Sequence, residues 1–402
     1  MSDQALSDLK ILDVGHYIAG PYCSKLLAEF GADVIKVERP GSGDGARQVG
    51  PFPKDVPDVE KSALFLYLNT GKKGITLNLK TDGGVKILKE LVKDVDVLVE
   101  NFEPKEAEAL GLSYKELHQI NPQLIVTSIS NFGHTGPYRD YKGTNLTMTA
   151  IGGAMAITGV EPPLKVGGSQ TEYMTGLMGF NATMGAVLWR DSNDNKGQHV
   201  DLAAMEVVAG NLEGATTEYP YLGTTRTRKA MQAMKFVYGH PVGLYPCRDG
   251  WVIVTPGLGG IRKLSVLLGH PEYMEEELFR NRMQRQQRAQ EFDEKYLYPY
   301  LKEHDMSEIF HDAQELKMPF GMAQNIDELF KDEHLNEREF FIEEDHPKAG
   351  KVKYPSVPYK LSETPCQLGR APLLGEHNEE IYCQKLGYSK DELAKLQQDG
   401  VI

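Results

Sequence analysis

Cysteine is scarce. Cys23, Cys247, Cys366 and Cys383 are the only four in 402 residues, and no two form a C-x-x-C pair. That spacing argues against a metal knuckle or a disulfide framework and suits reduced thiols in the cytoplasm. Long apolar runs are missing too, since none approaches the ~20 residues that span a bilayer. The opening MSDQALSDLKILD has neither a basic start nor an apolar centre, so no signal peptide is predicted and the cytoplasm is the expected compartment. Positive charge is in deficit: 44 Lys and Arg against 57 Asp and Glu leave a net charge of −13. Such a balance argues against a nucleic-acid partner, which needs a broad basic face, but leaves room for a local cationic cluster around a phosphorylated ligand. Repeats and low-complexity tracts are absent as well.

The length suits about two or three domains with a true core. Residues 9–14 (LKILDV) form a short buried strand by pattern. Pro21 opens a helical segment through Leu26, Leu27 and Phe30, and Gly31 closes it. Residues 33–38 (DVIKVE) are the next strand, which makes a βαβ unit with a parallel, right-handed crossover. Glu38 at that strand's end would suit a dinucleotide ribose. The first turn, however, reads GHYIAGP and lacks G-x-G-x-x-G, so no nicotinamide site is predicted. Strands at 74–79, 95–100 and 124–129 alternate with helices at 83–92 and from Ser113 to Ile120.

This alternation predicts an α/β fold with an open parallel sheet, whose ligands sit beyond the carboxyl ends of the strands. Segments 16–20, Arg39, Asn101–Phe102 and 131–136 should therefore line one crevice. Residues 201–213 read as one long buried helix. Near residue 222 the texture changes: a basic stretch (224–235) precedes a hairpin pattern turning at Arg248, Asp249 and Gly250, then charged helices. The expected organisation is a large domain in 1–221, a smaller α+β domain in 222–320, and a tail, 321–402, that returns to the first.

The stretch 165–176, KVGGSQTEYMTG, offers one obvious chemical group, Glu172. Gly167 and Gly168 allow close backbone approach to a ligand. Apolar residues at helical spacing follow (Met174, Leu177, Met178, Met184, Leu188). A carboxylate at this position meets unpaired N–H groups and the positive end of the helix dipole. Two readings stand: Glu172 favours the helix start, or it performs chemistry.

The segments AGPYCSKLLAEFGADVIKVERPGSGD (19–44), LNLKTDGG (77–84), VENF (99–102), GLSYKELHQINPQLIVTSIS (111–130) and RAPLLGEHNEEI (370–381) are specific enough to name a family. The chain resembles, almost end to end, the family III CoA-transferases, a group that includes formyl-CoA:oxalate and carnitine CoA-transferases and α-methylacyl-CoA racemase. The resemblance implies a Rossmann-like large domain built from both chain ends, a small domain between them, and a homodimer of interlocked chains. It implies coenzyme A as co-substrate, an acyl-CoA and a small carboxylic acid as partners, and no metal or redox cofactor. It places the family's nucleophile, normally an aspartate, at Glu172, which would form acyl anhydride and CoA thioester intermediates. It places CoA contacts at Ile18, Ala19, Arg39, Leu77, Asn78, Leu79, Lys80, Asn101, Phe102, Glu103, Lys142, Gly143, Thr144 and Asn145.

The departures are as informative. Glutamate replaces aspartate at 172, Ile18 stands where a polar residue is common, Ala109 where several members have arginine, and Thr144 where an acidic residue is common. Ordinary solvated charge is the alternative at Arg39, Lys80 and Lys142. His16 could line the acyl pocket or simply pack, and His134 reads as a loop residue. Two competing functions follow from the departures. One is an acyl-CoA isomerase or racemase, against which Lys142 stands at the position of the racemase-type histidine. The other is a non-catalytic acyl-CoA-binding homologue or subunit of a mixed dimer.

Overall fold

The structure, a computed structural model, describes residues 4–159, 162–212, 214–225 and 239–402. The chain divides into two compact units. The first gathers the described residues of Met1–Thr158, Pro163–Thr224 and Glu337–Ile402, and the second those of Gly159–Pro162 and Thr225–Asn336. The basic stretch at 226–235 lies outside the described residues.

Six parallel strands form the first unit's sheet: β1 (Lys10–Asp13), β2 (Asp33–Glu38), β3 (Lys73–Thr76), β4 (Val97–Glu100), β5 (Ile125–Ser130) and β6 (His199–Ala203), in the order β3-β2-β1-β4-β5-β6. Successive side chains point to opposite faces, and both faces are apolar. Leu12, Ile35, Leu98 and Val126 lie side by side in register on one face, and Ile11, Val34, Val97 and Ile125 on the other. Between Ala19 and Gly210 the α-helices, in chain order, are α1 (Ala19–Glu29), α2 (Ala63–Leu68), α3 (Asp82–Val92), α4 (Pro104–Ala109), α5 (Tyr114–Ile120), α6 (Asn145–Ile151), α7 (Ala154–Ile157), α8 (Gln170–Asp191) and α9 (Ala204–Gly210). α1 and α8 cover the Ile11 face through Cys23, Leu27, Ala186 and Val187. α3, α5 and the chain's end cover the Leu12 face through Leu88, Leu91, Leu117, Tyr382 and Ile402. Small residues bring α1 and α8 close: a Cβ on Gly176 would lie 2.6 Å from Ala19 O.

The predicted helix over 201–213 is a correction. Its first residues belong to β6, whose Asp201 pairs with Ser128, and the helix α9 begins only at Ala204. HVDLA is a half-exposed edge strand and runs without Gly or Pro into AAMEVV. Good helix formers therefore mask the strand–helix boundary.

The tail returns to the outer strand β3. Gly74 N–H donates to His377 Nδ1 (3.1 Å), Thr76 N–H to Asn378 Oδ1 (2.9 Å), and Tyr382 Oη–H to Thr76 O (2.6 Å). An edge that would otherwise offer free N–H groups is thereby covered.

The second unit has its own three-stranded antiparallel sheet, β7 (Gly243–Pro246), β8 (Trp251–Val254) and β9 (Gly321–Met322), with the expected turn closed by Cys247 N–H to Gly250 O at 2.9 Å. Its core includes Tyr245, Val252, Phe279, Phe292, Tyr296 and Ile309. The hairpin β10 (Phe341–His346) and β11 (Gly350–Pro355) belongs to the first unit, where Tyr354 packs with Phe65 and Ala371.

Beneath the carboxyl ends of β1 and β2 lies a buried charge cluster. Asp13 accepts from Gly15 N–H (2.9 Å), Ser24 Oγ–H (2.6 Å) and Lys72 Nζ (2.9 Å), and Lys36 Nζ stands 3.8 Å away. Lys36 pairs with Asp44 at 2.8 Å and donates to Gly15 O. Burial alone would push the Asp13 carboxyl up, but the two ammonium groups outweigh it and hold it below the usual range. Burial pulls Lys72 down to about 8. Asp13→Ala leaves both cations buried beside a missing partner. It should cost about 3–5 kcal/mol of folding stability in urea denaturation. A loss below about 1 kcal/mol would mean that the cations find other partners.

Candidate functional site

The site is built where the strands end. After β1 the chain turns sharply, and Asn101, just past β4, clasps the turn. Asn101 Oδ1 accepts from His16 N–H at 2.6 Å, and Nδ2 donates to His16 O at 2.8 Å. The clasp needs bare backbone beside it: a Cβ on Gly15 or Gly20 would sit 3.0 Å from Asn101 Oδ1.

Two cavities open above the sheet. The larger, of about 360 Å³, has an apolar floor of Val14 and Val37. Arg39, Leu77, Asn78, Leu79, Lys80 and Phe102 stand in its walls, together with His16, Ser42, Glu106 and Gly400. Residues 77–79, expected as strand, have already left the sheet, because β3 ends at Thr76. Asn78 is instead tied to the chain's end, with N–H to Val401 O at 2.7 Å and Nδ2 to Gly400 O at 3.1 Å. Arg39 and Lys80 are exposed and make no ion pair among the described residues, so their charge faces the cavity rim unneutralised. Lys105, by contrast, pairs with Asp140 at 2.8 Å.

The second cavity, of about 150 Å³, holds Glu172. Ala19, Asn101, Glu103, Gly143, Thr144 and Asn145 line it, with Tyr17, Asn131, Met148, Thr171 and Thr175. Phe102 belongs to both walls and is the partition between the cavities. Its N–H donates to Glu100 Oε2 at 2.8 Å, and its ring meets His16 edge-on at 5.2 Å.

Glu172 is the third residue of α8, in its first turn. It is half-buried, and burial raises its carboxyl above the usual value, against hydrogen bonds from Ser169 and Asn145 and the charge of Lys165. Asn145 Nδ2 donates to Glu172 Oε2 at 3.3 Å, while its buried Oδ1 has no hydrogen-bond partner among the described residues. Asn145 starts α6, and Thr144 caps that helix by accepting from Thr147 N–H at 3.3 Å. Thr149 and Thr171 join α6 to α8 through a 2.8 Å hydroxyl contact. The carboxylate and its amide neighbour are therefore held by two connected helix starts.

Not every expected residue joins the cavities. Ile18 is buried and lies in neither wall. Lys142 is 83% exposed, paired with Glu103, and outside both walls. His134 also stands aside, with Nε2 3.8 Å from Glu100 Oε1. Gly400 could not have been found from local sequence, since it lies 322 residues from Asn78. Tyr17 falls within the segment 16–20 expected to line the crevice, and it does line the Glu172 cavity. Among the described residues no group of His, Cys, Asp and Glu is placed to hold a metal ion, and no helix is long and apolar enough to cross a membrane.

An open parallel sheet with paired cavities at its carboxyl edge defines a doubly wound α/β protein. The sequence profile of CoA-transferase family III matches residues 6–378. The chain is 34% identical to the succinyl-CoA–D-citramalate CoA-transferase of Chloroflexus aurantiacus, over 99% of this chain and 98% of that protein. It is 33% identical to the formyl-CoA:oxalate CoA-transferase of Streptomyces avermitilis, over 99% of this chain and all of that one. The crystal structure of a CaiB/BaiF family protein from Brucella suis superposes with a TM-score of 0.84 at 30% identity, covering 95% of this chain and 99% of the other. The chain belongs to CoA-transferase family III. It is a CoA-transferase, acting on acyl-CoA and carboxylic acid substrates with coenzyme A as the group carried.

The partition can be tested through Glu100. Burial pushes this carboxyl from 4.5 up to about 7, although Ser128 and the Phe102 N–H oppose the shift. The folded state thus holds the proton more tightly than the unfolded chain. Stability is full below about 4.5 and falls as pH rises towards about 7. Glu100→Gln keeps the acceptor for Phe102 and removes the titration. Relative to this variant, the wild type should lose on the order of 3 kcal/mol between pH 4.5 and 8 in denaturant melts. Parallel pH curves would refute it.

Proposed function

We propose that CoA passes between an acyl-CoA donor and an acceptor acid through covalent intermediates on Glu172. The observation that carries this reading is the placement of Glu172: a desolvated carboxylate in a small cavity that shares the Phe102 wall with a larger, cation-rimmed one. The larger cavity suits the nucleotide end of CoA, with Arg39 and Lys80 at its phosphates. The smaller suits the thioester.

In the first step a Glu172 oxygen attacks the thioester carbonyl carbon, and the C–S bond breaks to release CoA thiolate. The thiolate then attacks the Glu172 carbonyl of the resulting anhydride, expelling the donor acid as its carboxylate. The acceptor carboxylate next attacks the enzyme thioester, again releasing thiolate and forming a second anhydride. Thiolate attack on the acceptor's carbonyl yields the new acyl-CoA and frees Glu172. No proton or electron is left over. Asn145 Nδ2 supports the sequence by donating to the Glu172 carboxyl, and burial makes the carboxylate a less solvated, stronger nucleophile. Lys142 lies outside both walls, which favours transfer over proton exchange across an α-carbon. The reading includes a cytoplasmic homodimer. On α8 the exposed apolar residues Leu177, Met178, Leu188 and Trp189 support a protein–protein surface.

Glu172→Gln should fold within about 1 kcal/mol of wild type, the scale of a helix-dipole contact, yet lose several orders of magnitude in transfer. Hydroxylamine added after acyl-CoA should modify a peptide containing Glu172 in the wild type alone. Glu172→Asp shortens the reach by roughly one bond length, about 1.5 Å, and should lose much of the rate. Full transfer by the Gln variant would end the covalent mechanism.

Arg39→Ala should weaken CoA binding on the order of tenfold to a hundredfold in calorimetry, with an unchanged fold. Unchanged affinity would remove Arg39 from the phosphate site.

A further inference from the structure

Tyr17 is the residue that CoA binding and the chemistry of Glu172 leave unexplained. Its φ is 61°, in the left-handed region where a bulky side chain is costly. The surroundings hold it there. Tyr17 N–H donates to Asp44 Oδ1 at 2.9 Å, and Asp44 is fixed in turn by Lys36 at 2.8 Å and by Ala46 N–H at 2.8 Å. On the other side His16 is clasped at both its N–H and its C=O by Asn101. A strained conformation maintained by this many contacts points to a side chain that must be where it is.

Tyr17 is one of the residues lining the Glu172 cavity and is 52% exposed. Its seat is Gly45, at the start of the short 3-10 turn Gly45–Gln48. A Cβ on Gly45 would come within 2.6 Å of Tyr17 Cε1 and Oη, and closer still to Cζ. Gly45 has no left-handed backbone angle that would call for glycine. What an added methyl would displace is the Tyr17 ring. Backbone strain on one side and a bare glycine on the other thus lock an aromatic plate at the wall of a cavity of about 150 Å³.

We propose that Tyr17, seated on Gly45, is the specificity-determining residue that limits the size of the acyl group admitted beside Glu172. This rests on the transfer reading for the identity of the occupant. A rigid aromatic edge excludes a longer chain by steric clash, and a truncated one admits it.

The test uses binding first, so that it does not depend on the covalent chemistry. Calorimetry with the unreactive thioethers S-ethyl-, S-butyl- and S-octyl-CoA should show wild-type affinity falling as the alkyl chain lengthens. In Tyr17→Ala the octyl-to-ethyl affinity ratio should rise at least tenfold, and in Tyr17→Phe it should stay near wild type. Gly45→Ala should change the ratio without altering a residue in the cavity wall. In the double variant Tyr17→Ala/Gly45→Ala the second change should add nothing, because the ring it would displace is gone. The kcat/KM ratio for octanoyl-CoA against acetyl-CoA should follow the same order. A thioether series unchanged by Tyr17→Ala, or a Gly45→Ala effect that persists in the double variant, overturns the proposal. Thioether ratios that shift as expected while no variant or wild type transfers CoA would instead sink the transfer reading and leave the size limit standing. Should Tyr17→Ala not fold, Tyr17→Gly, which accepts the left-handed backbone without strain, gives the same comparison.

Discussion

Two lysines without access to water govern the architecture around the site. Lys36 and Lys72 are desolvated at the carboxyl edge of the sheet, and each must meet carboxylates there. Asp13 and Asp44 answer that need, and their remaining oxygens are then committed: Asp13 to Gly15 N–H and Ser24, Asp44 to Tyr17 N–H and Ala46 N–H. Next to them Glu38 takes Arg47 in a two-point grip at 2.6 and 2.8 Å, and Arg47 reaches on to Pro372 O at 3.1 Å. A buried ion cluster adds little net stability over well-packed apolar side chains. Its effect here is geometric, since one set of contacts fixes the first turn, the segment after β2 and the returning tail together.

That common anchorage explains why the cavities lie where they do. In a parallel sheet the turns after the strands crowd one edge, and side chains from distant segments meet there. Asn101 and Phe102 occupy the central turn, after β4, and divide the edge in two: Asn101 holds the His16 turn, and Phe102 stands between the spaces. Arg39 and Lys80 stand on one side of the partition and Glu172 on the other. The proposed transfer uses that separation, with the phosphates on one side and the reacting carbon on the other. The opposite arrangement, with Arg39 beside Glu172, would tie the carboxylate up in an ion pair.

Strands β1 to β5 were legible in the sequence because both faces of each are buried, which yields continuous apolar runs bounded by polar turns. β6 was not, because its half-exposed residues run unbroken into α9. The site was legible only in part. Glu172, Asn101 and Phe102 announced themselves by residue type and motif. Lys142 and Thr144 stood at matching positions, yet one is held on the surface by Glu103 and the other caps α6 as well as lining the cavity. No pattern of spacing foretells an ion pair between residues 39 apart. Nor could GHYIAGP disclose that the left-handed residue is Tyr17, since neighbouring glycines are the usual bearers of that conformation.

The position of Glu172 follows from the same anchored turn. Gly176, one turn beyond Glu172, lies so near Ala19 O that any side chain there would push α8 away from α1. Tyr173 reinforces the contact by meeting Tyr22 edge-on, with ring centres 4.9 Å apart. α8 therefore docks on the first turn of α1, which begins two residues after Tyr17. Glu172 and the Tyr17 ring are both referenced to this one piece of backbone, so their spacing across the cavity does not depend on the sheet's outer strands. Glutamate at 172, where the resemblance implies an aspartate in the family, is compatible with that constraint. With the helix start fixed by packing, the glutamate side chain carries the carboxylate to within 3.3 Å of Asn145 Nδ2.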